Sequence, residues 1–487
     1  MPRRPMLASA VASAVAVALA LPLAGGSAPA VADSAQGAAA PSYAAGRSHP
    51  VEDSYYPAKG DPRVDALHYK LDLDWRRKSR TLRGVAVIRF RATRTADRFT
   101  LDLAHPMRVR SVRLDGHRAA HAHPGKNLVV REHVRKGSRH TLRVVYAGTP
   151  KPVRGPASRP DIAHVGMRVT KGGQLWTMQE PFGAYTWYPA HDQPSDKALY
   201  DLRVSVPGAW VGVSNGELVS RTRRGGRTVT RWHSAHPMAS YLVTLAVGPY
   251  RMATQTGPHG VPLTYWVPRG RPGLLRALRT TPQALRWLEK RLGRYPFERA
   301  GVLVTPGSSS AMETQTLVTF GAGNYRYGTR DVRRTVVHEL AHQWYGDTVT
   351  PRDWRDVWMN EGMATYQDTR WAVAQGWTTW RHWQRQWKRD DQLWRDIYGP
   401  PGRYRHHEFG AINVYYCTAL MWDRLRKRVG TAQFDDLVRG WIRTHHDTNQ
   451  SRASLERWWE RRSGEELSAF FDRWLNHRRS PARSHRG

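Results

Sequence analysis

The chain has 487 residues, 40% of them hydrophobic, so it can form several domains with a large buried core, and wholesale disorder is excluded. Its 76 Lys and Arg residues outnumber 40 Asp and Glu residues, which gives a net charge of +36. This charge either attracts the protein to anionic surfaces or serves only to keep its surface soluble. The single cysteine, Cys417, excludes an intramolecular disulfide and a zinc site built from cysteines.

The N-terminal segment has the features of an export signal. Arg3 and Arg4 precede an apolar run at residues 7–23, and Ala30-Val31-Ala32 offers a cleavage site. We therefore expect residues 1–32 to be a signal peptide and the mature protein to be secreted or extracytoplasmic. The arginine pair leaves the general and twin-arginine export routes open. No later run approaches the roughly 20 apolar residues of a spanning helix, so no transmembrane span is expected in the mature protein.

A linker and a β-rich region follow. Residues 33–57 are small, polar and proline-containing, which is typical of a linker. From residue 58 to 252, short apolar runs with a period of two alternate with Gly, Pro and Asp, which predicts an antiparallel β domain. The clearest run consists of Leu67, Tyr69, Leu71, Leu73 and Trp75.

After about residue 255 the hydrophobic period changes. Residues 273–292 have a helical pattern, residues 300–305 form a short apolar strand, and helix dominates from Asp331 onward. The sequence therefore predicts an α+β protein, in which the N-terminal antiparallel β domain is followed by a mostly helical domain at residues 253–484.

The segment HELAHQW lies in a helix predicted over residues 331–345. His338 and His342 are four residues apart, so their imidazoles project from one helix face and can reach the same ion. Zinc binds histidine nitrogens in this way. Glu339 lies beside the first histidine, where it can act as general base toward a metal-activated water.

A catalytic zinc usually has three protein ligands. A third histidine in an H-x-x-G-x-x-H extension is excluded, since Tyr345 and Thr348 occupy the required positions. Glu361 lies in an apolar, helical stretch after enough residues for the chain to return to the first helix. It is therefore the predicted third ligand, and its alternative role is that of a helix-capping carboxylate.

Residues 338–366, HELAHQWYGDTVTPRDWRDVWMNEGMATY, resemble the zinc signature of the gluzincin aminopeptidases, the family of alanyl and puromycin-sensitive aminopeptidases and leukotriene hydrolase. Residues 187–200 and 463–475 are also similar to segments of that family. The resemblance implies one Zn²⁺ ion, a thermolysin-like catalytic domain and release of N-terminal residues from peptides with a free N-terminus. It also implies a short form of the family, without the large helical C-terminal domain.

The resemblance extends to residues that bind substrate. Residues 310–314, SAMET, resemble the family motif G-A-M-E-N, which implies that Glu313 binds the substrate's α-ammonium group. Ser310 and Thr314 depart from that motif. Residues 177–180, TMQE, resemble the family motif T-Q-x-E, which implies that Glu180 is a second amine-binding carboxylate. Met178 stands in place of the usual Gln.

A tyrosine is implied as the remaining catalytic group. Val-Tyr-Tyr at residues 414–416 resembles V-Y-x-K-G, which makes Tyr415 the phenol that stabilises the tetrahedral intermediate. Cys417 and Thr418 replace the usual Lys-Gly, so Tyr416 stays open as an alternative.

Two rival functions remain at this point. A zinc endopeptidase of the thermolysin type would use the same three ligands. A catalytically idle, cationic envelope-binding protein would explain the net charge of +36 and the altered motifs. An anionic cell-surface polymer is a candidate partner, whereas no nucleic-acid motif accompanies the charge and no specific nucleic-acid binding is predicted.

Overall fold

The computed structural model describes residues 43–483. Apart from short 3-10 turns, the regular elements up to Gly248 are β-strands. In chain order, strands β1 to β16 span Val64–Arg76, Thr81–Ala92, Phe99–Asp102, Met107–Leu114, His117–Arg118, His121–Ala122, Asn127–Val130, Arg139–Gly148, Val153–Arg154, His164–Val169, Leu175–Met178, Lys197–Pro207, Val211–Ser214, Glu217–Arg224, Arg227–Ala239 and Leu245–Gly248.

These strands form three sheets. The largest has eight strands in the order β14-β15-β12-β1-β2-β8-β4-β5, and the others have the orders β13-β16-β11-β10-β9 and β3-β7-β6. Neighbouring strands are antiparallel, with the exception of the parallel pair β1 and β12 at the centre of the large sheet. The predicted antiparallel β domain is confirmed.

Strand β1 shows why the period of two predicts this sheet. Leu71, Leu73 and Trp75 are fully buried, whereas Lys70 and Asp72, on either side of Leu71, are exposed. Because successive side chains of a strand point to opposite faces, one face of β1 enters the core and the other meets solvent.

A fourth, mixed sheet and a short parallel pair belong to the second half of the chain. Strands β17 to β23 span Tyr250–Thr256, Pro262–Pro268, Ala300–Thr305, Ala311–Met312, Val318–Gly321, Val349–Pro351 and Thr448–Gln450. The sheet has the order β17-β18-β19-β21-β20, and β22 pairs with β23. The predicted division at residue 252 falls within β17, and it stays a prediction.

The helices follow, and they confirm the mostly helical second region. Helices α1 to α9 span Leu275–Leu278, Thr281–Leu292, Thr329–Ala341, Trp358–Ala374, Trp380–Tyr398, Ile412–Val429, Thr431–His445, Arg452–Ser463 and Ser468–Asn476. Helix α4 packs against both α3 and α6. Among residues 43–483, no helix has the length and apolar character needed to cross a bilayer.

The predicted signal peptide, residues 1–32, lies outside the described residues, as does the first part of the predicted linker at 33–57. The described remainder of that linker contacts the body of the protein. The Asp53 carboxylate is buried and accepts a hydrogen bond of 2.7 Å from the backbone N–H of Trp354.

Candidate metal centre

Helix α3 presents the HELAH motif to the interior. Gly328 immediately precedes the helix with φ of 98°, a left-handed conformation that glycine adopts without strain. Val332, Val336 and Leu340 are buried along one face and attach the helix to the core. His338 therefore occupies a fixed position near the end of a packed helix.

The helix ends earlier than predicted. It stops at Ala341, so the predicted end at Tyr345 is wrong. The reason lies in the backbone, because the N–H groups of Gln343 and Trp344 bond carbonyls three residues back instead of four. His342 still keeps right-handed helical dihedral angles at the C-cap, so its side chain stays beside that of His338.

The two histidines have their ring protons fixed by their neighbours. His338 Nδ1 lies 3.0 Å from the Asp368 carboxylate, and His342 Nδ1 lies 3.1 Å from the carbonyl oxygen of Tyr345. A neutral imidazole that donates from Nδ1 to such acceptors leaves the lone pair on Nε2 free. Both Nε2 atoms are therefore arranged as metal ligands, and the outer hydrogen bonds orient the rings.

Glu361, on α4, completes the donor set. Its Oε2 atom lies 3.2 Å from Nε2 of His338 and 3.3 Å from Nε2 of His342, and the two Nε2 atoms are 3.1 Å apart. Although burial opposes it, the neighbouring imidazoles lower the pKa of Glu361. Two nitrogens and a carboxylate oxygen at these separations suit one zinc ion with bonds of about 2.0–2.2 Å.

Three further carboxylates line the same cavity, which measures about 330 Å³: those of Glu180, Glu313 and Glu339. Within residues 43–483, no group forms a hydrogen bond with Oε1 of Glu180 or with Oε1 of Glu313, although both atoms are buried. Buried carboxylate oxygens without a donor are costly, so this part of the cavity suits a cationic ligand.

Burial and mutual repulsion raise the pKa of these three carboxyl groups. Burial, and then the charge of Glu313, raise the pKa of Glu180 well above its usual value. Burial likewise raises the pKa of Glu313, and that of Glu339 to about 7. A bound cation would oppose these shifts, because it stabilises the ionised form.

Two profiles of one family cover most of the chain. The profile described as "Peptidase M1 N-terminal domain" matches residues 65–242, and that described as "Peptidase family M1 domain" matches residues 276–474. The chain belongs to the M1 peptidase family. The predicted resemblance to the gluzincin aminopeptidases is thereby confirmed, and the metal that this family implies for the site is zinc.

The M1 relatives include "Aminopeptidase N" of Streptomyces lividans, which is 28% identical over 360 residues, covering 68% of this chain and 40% of that protein. "Aminopeptidase N" of Acetobacter pasteurianus is 30% identical over 250 residues, covering 48% of this chain and 68% of that protein. The chain thus spans about two fifths of the length of the Streptomyces relative.

A solved M1 zinc metallopeptidase from Deinococcus radiodurans, a mutant bound to a Tyr-Ser-Ala substrate, has a similar fold. It superposes with a TM-score of 0.78 at 28% identity, covering 89% of this chain and 98% of that chain. A two-domain M1 zinc metallopeptidase bound to L-arginine gives a TM-score of 0.79 with the same coverage. These structures confirm the predicted fold class, a β domain followed by a helical catalytic domain.

In this M1 chain, Tyr415 lies on α6 and faces the candidate metal ligands. Its hydroxyl donates to Oε1 of Glu361 at 2.9 Å and accepts from the Arg159 guanidinium at 3.1 Å. The ring of Tyr416 instead lies against Trp387 and Trp394, with ring centroids 6.1 and 5.3 Å away. The structure thus brings the hydroxyl of Tyr415, rather than that of Tyr416, to the ligand set.

Ser310 and Thr314, the two residues of SAMET that differ from the family motif, form local hydrogen bonds. The Ser310 hydroxyl donates to the Asp161 carboxylate at 3.0 Å, and the hydroxyls of Thr314 and Thr319 are 2.8 Å apart. Glu313 thus lies on a strand-to-turn segment that is held on both sides.

Sequence reasoning missed two groups of residues around the site. Asp368 lies seven residues after Glu361 on α4, and it accepts a 2.8 Å hydrogen bond from Arg334 as well as that from His338. The spacing of seven along one helix face could have revealed it. Arg159 comes from an irregular loop between β9 and β10, and no periodic signal in the sequence marks it.

Proposed function

We propose that this protein is an aminopeptidase, which hydrolyses the first peptide bond of peptides that have a free N-terminus. The observation that supports this most directly is the pair Glu180 and Glu313, whose buried, unpartnered oxygens line the same cavity as the histidines. An endopeptidase binds an internal stretch of its peptide substrate, so no α-ammonium group would pair with these two carboxylates.

One zinc ion would be held by His338, His342 and Glu361. When bound, zinc supplies Lewis acidity toward the scissile carbonyl and toward a water molecule. Glu339 lines the same cavity and is adjacent in sequence to His338. In the proposal it takes the proton of the attacking water and passes it to the leaving amine.

Recognition of the substrate rests on charge. The carboxylates of Glu313 and Glu180 accept hydrogen bonds from the α-ammonium group, and such charge-assisted bonds are strong where water is excluded. Because the amine is held at one end of the cavity, the first peptide bond is the one that lies beside Glu339. The same contacts therefore determine both affinity and the position of cleavage.

Tyr415 is the proposed donor to the oxygen that gains negative charge as the carbonyl is attacked. Its hydroxyl already lies 2.9 Å from a carboxylate oxygen of Glu361, at the edge of the donor set. Burial, and then the charge of Glu361, raise the pKa of the phenol well above its usual value, so it keeps its proton for donation.

A matched pair of substrates tests the function. We expect an aminoacyl chromogenic anilide to be hydrolysed, its N-acetylated counterpart to be resistant, and activity to disappear with a chelator and return with zinc. Hydrolysis of the acetylated compound at an equal rate would indicate an endopeptidase. Zinc binding without hydrolysis of either compound would indicate an idle binding protein.

We also propose that the protein is exported and that its net charge of +36 attaches it to an anionic cell-surface polymer. The N-terminal signal pattern supports export, and the large excess of Lys and Arg supports the attachment. Cell fractionation tests the first part. Co-sedimentation with isolated cell walls, at low and at high salt, tests the second, because screening should release the protein.

A further inference from the structure

Three side chains remote in sequence from the HELAH motif converge at a second position. His236 lies in β15, whereas His446 and Asp447 lie between α7 and β23. Nδ1 of His236 is 2.7 Å from Oδ2 of Asp447, and Nδ1 of His446 is 3.0 Å from the same oxygen. One possible ligand atom from each of the three residues lies within 4.8 Å of those from the other two.

The outer ring nitrogen of His446 is backed by an acceptor. Nε2 of His446 lies 3.1 Å from the carbonyl oxygen of Pro296. Because a carbonyl only accepts, Nε2 carries a proton, and in the neutral form of the ring the lone pair of Nδ1 then faces Asp447. A lone pair directed at a carboxylate oxygen is repelled unless a proton or a metal ion lies between them.

The carboxylate of Glu298 is the nearest acidic group to the outer nitrogen of His236. Its Oε2 atom lies 4.0 Å from Nε2 of His236, and neither carboxylate oxygen of Glu298 has a hydrogen-bond partner in the described part of the chain. Histidines that bind metals are typically backed by a hydrogen-bonded carboxylate or carbonyl, as His338 is by Asp368 at 3.0 Å. Glu298 lies beyond hydrogen-bond distance of His236, so it adds negative charge beside the ring without fixing its tautomer.

The Asp447 carboxylate is oriented by its neighbours. Its Oδ1 atom lies 3.3 Å from the Thr348 hydroxyl, which also accepts a 3.0 Å hydrogen bond from the Asp447 backbone N–H. The nearby cation Lys197 donates to the carbonyls of Asp347 and Thr348. Oδ2 therefore stays directed at the two imidazoles.

We propose that His236, His446 and Asp447 form a second site for a divalent transition-metal ion of the zinc type. Two imidazole nitrogens with one carboxylate oxygen suit zinc, whereas calcium and magnesium prefer oxygen ligands alone. The side chains are 27%, 36% and 23% exposed, so an ion can enter from solvent.

The position indicates a structural role for the ion. It would link β15 of the eight-stranded sheet to the segment that follows α7. Through Thr348 it would also support the loop that leaves the HELAH helix. The second site contains none of the groups proposed for hydrolysis. Loss of its ion should therefore leave hydrolysis at the first site unchanged.

Zinc stoichiometry tests the proposal. The full chain is stripped with a chelator, and Zn²⁺ is titrated against a chromophoric competitor at neutral pH. We expect two equivalents for the wild type, and one for H236A/H446A, which should keep its peptidase activity. The matched control H406A/H407A removes two exposed histidines of a surface loop, and it should keep two equivalents.

A second variant guards against misfolding. Asp447→Asn keeps the side-chain shape but removes the charge, and it should also bind one equivalent. The proposal would be overturned if the wild type bound one equivalent of zinc, or if H236A/H446A and Asp447→Asn both bound two. In that case the cations beside Asp447 would be protonated histidines. The H338A/H342A variant separates the two sites, since it should lose the other equivalent together with hydrolysis.

Discussion

Replacing Glu313 with Gln removes one buried negative charge and keeps the size of the side chain. Glu313 is 2% exposed and its Oε1 atom has no hydrogen-bond partner among the described residues, so the substrate's ammonium group would be its partner. A hydrogen bond to a charged group contributes about 1.5–3 kcal/mol. Since about 1.4 kcal/mol corresponds to a factor of ten, kcat/KM should fall about 10- to 150-fold.

The assay compares ligands with and without the amine. Hydrolysis of an aminoacyl anilide gives kcat/KM, and inhibition by an amino-acid amide and by its desamino analogue separates recognition of the amine from other effects. In Glu313→Gln, the amide should inhibit more weakly, while inhibition by the desamino analogue and the zinc content stay unchanged. The control Glu217→Gln, at a side chain that is 57% exposed on β14, should behave as wild type.

Equal weakening of both inhibitors in Glu313→Gln would refute the amine-binding role, because a group that contacts only the ammonium cannot affect a ligand that lacks it. Unchanged hydrolysis of the free-amine substrate would refute it as well.

Four other substitutions probe the proposed zinc site. Glu339→Gln should keep zinc, measured by metal analysis, and lower kcat by about 10²- to 10⁴-fold, so near-native turnover would remove its role as general base. Asp368→Asn weakens the acceptor behind His338 and should lower zinc affinity about 10- to 100-fold in competition with a chelator; unchanged affinity would contradict this role. Tyr415→Phe should lower kcat by about 10²- to 10³-fold with zinc retained, whereas Tyr416→Phe should have little effect, and the reverse order would exchange the two tyrosines.

The parts of the site that follow a helical period could be predicted from the sequence. The i, i+4 spacing of His338 and His342 placed two ligands on one helix face, and an apolar setting marked Glu361 as buried. The predicted helix end was wrong because its last turn tightens, and backbone bonding of that kind leaves no mark in the spacing of apolar residues. The helix predicted over residues 273–292 is likewise interrupted, as α1 ends at Leu278 and α2 begins at Thr281.

What the sequence could not supply are contacts between distant segments. The parallel pairing of β1 with β12 joins strands more than a hundred residues apart, and alternation within each strand gives no register between them. Arg159 reaches Tyr415 from an irregular loop. His236 meets Asp447 across 211 positions, and only the folded chain brings them together.

The cavity takes its residues from both halves of the chain. Glu180 and Arg159 come from the β-rich half, whereas the proposed zinc ligands come from helices α3 and α4 and the segment just after α3. A chimaera that combined the helical half with the β half of a relative would therefore inherit the proposed metal centre from one parent and the proposed binding of the substrate's amine partly from the other. On this proposal, exchanging β halves among relatives is a route to altered selectivity that leaves the groups proposed for hydrolysis unchanged.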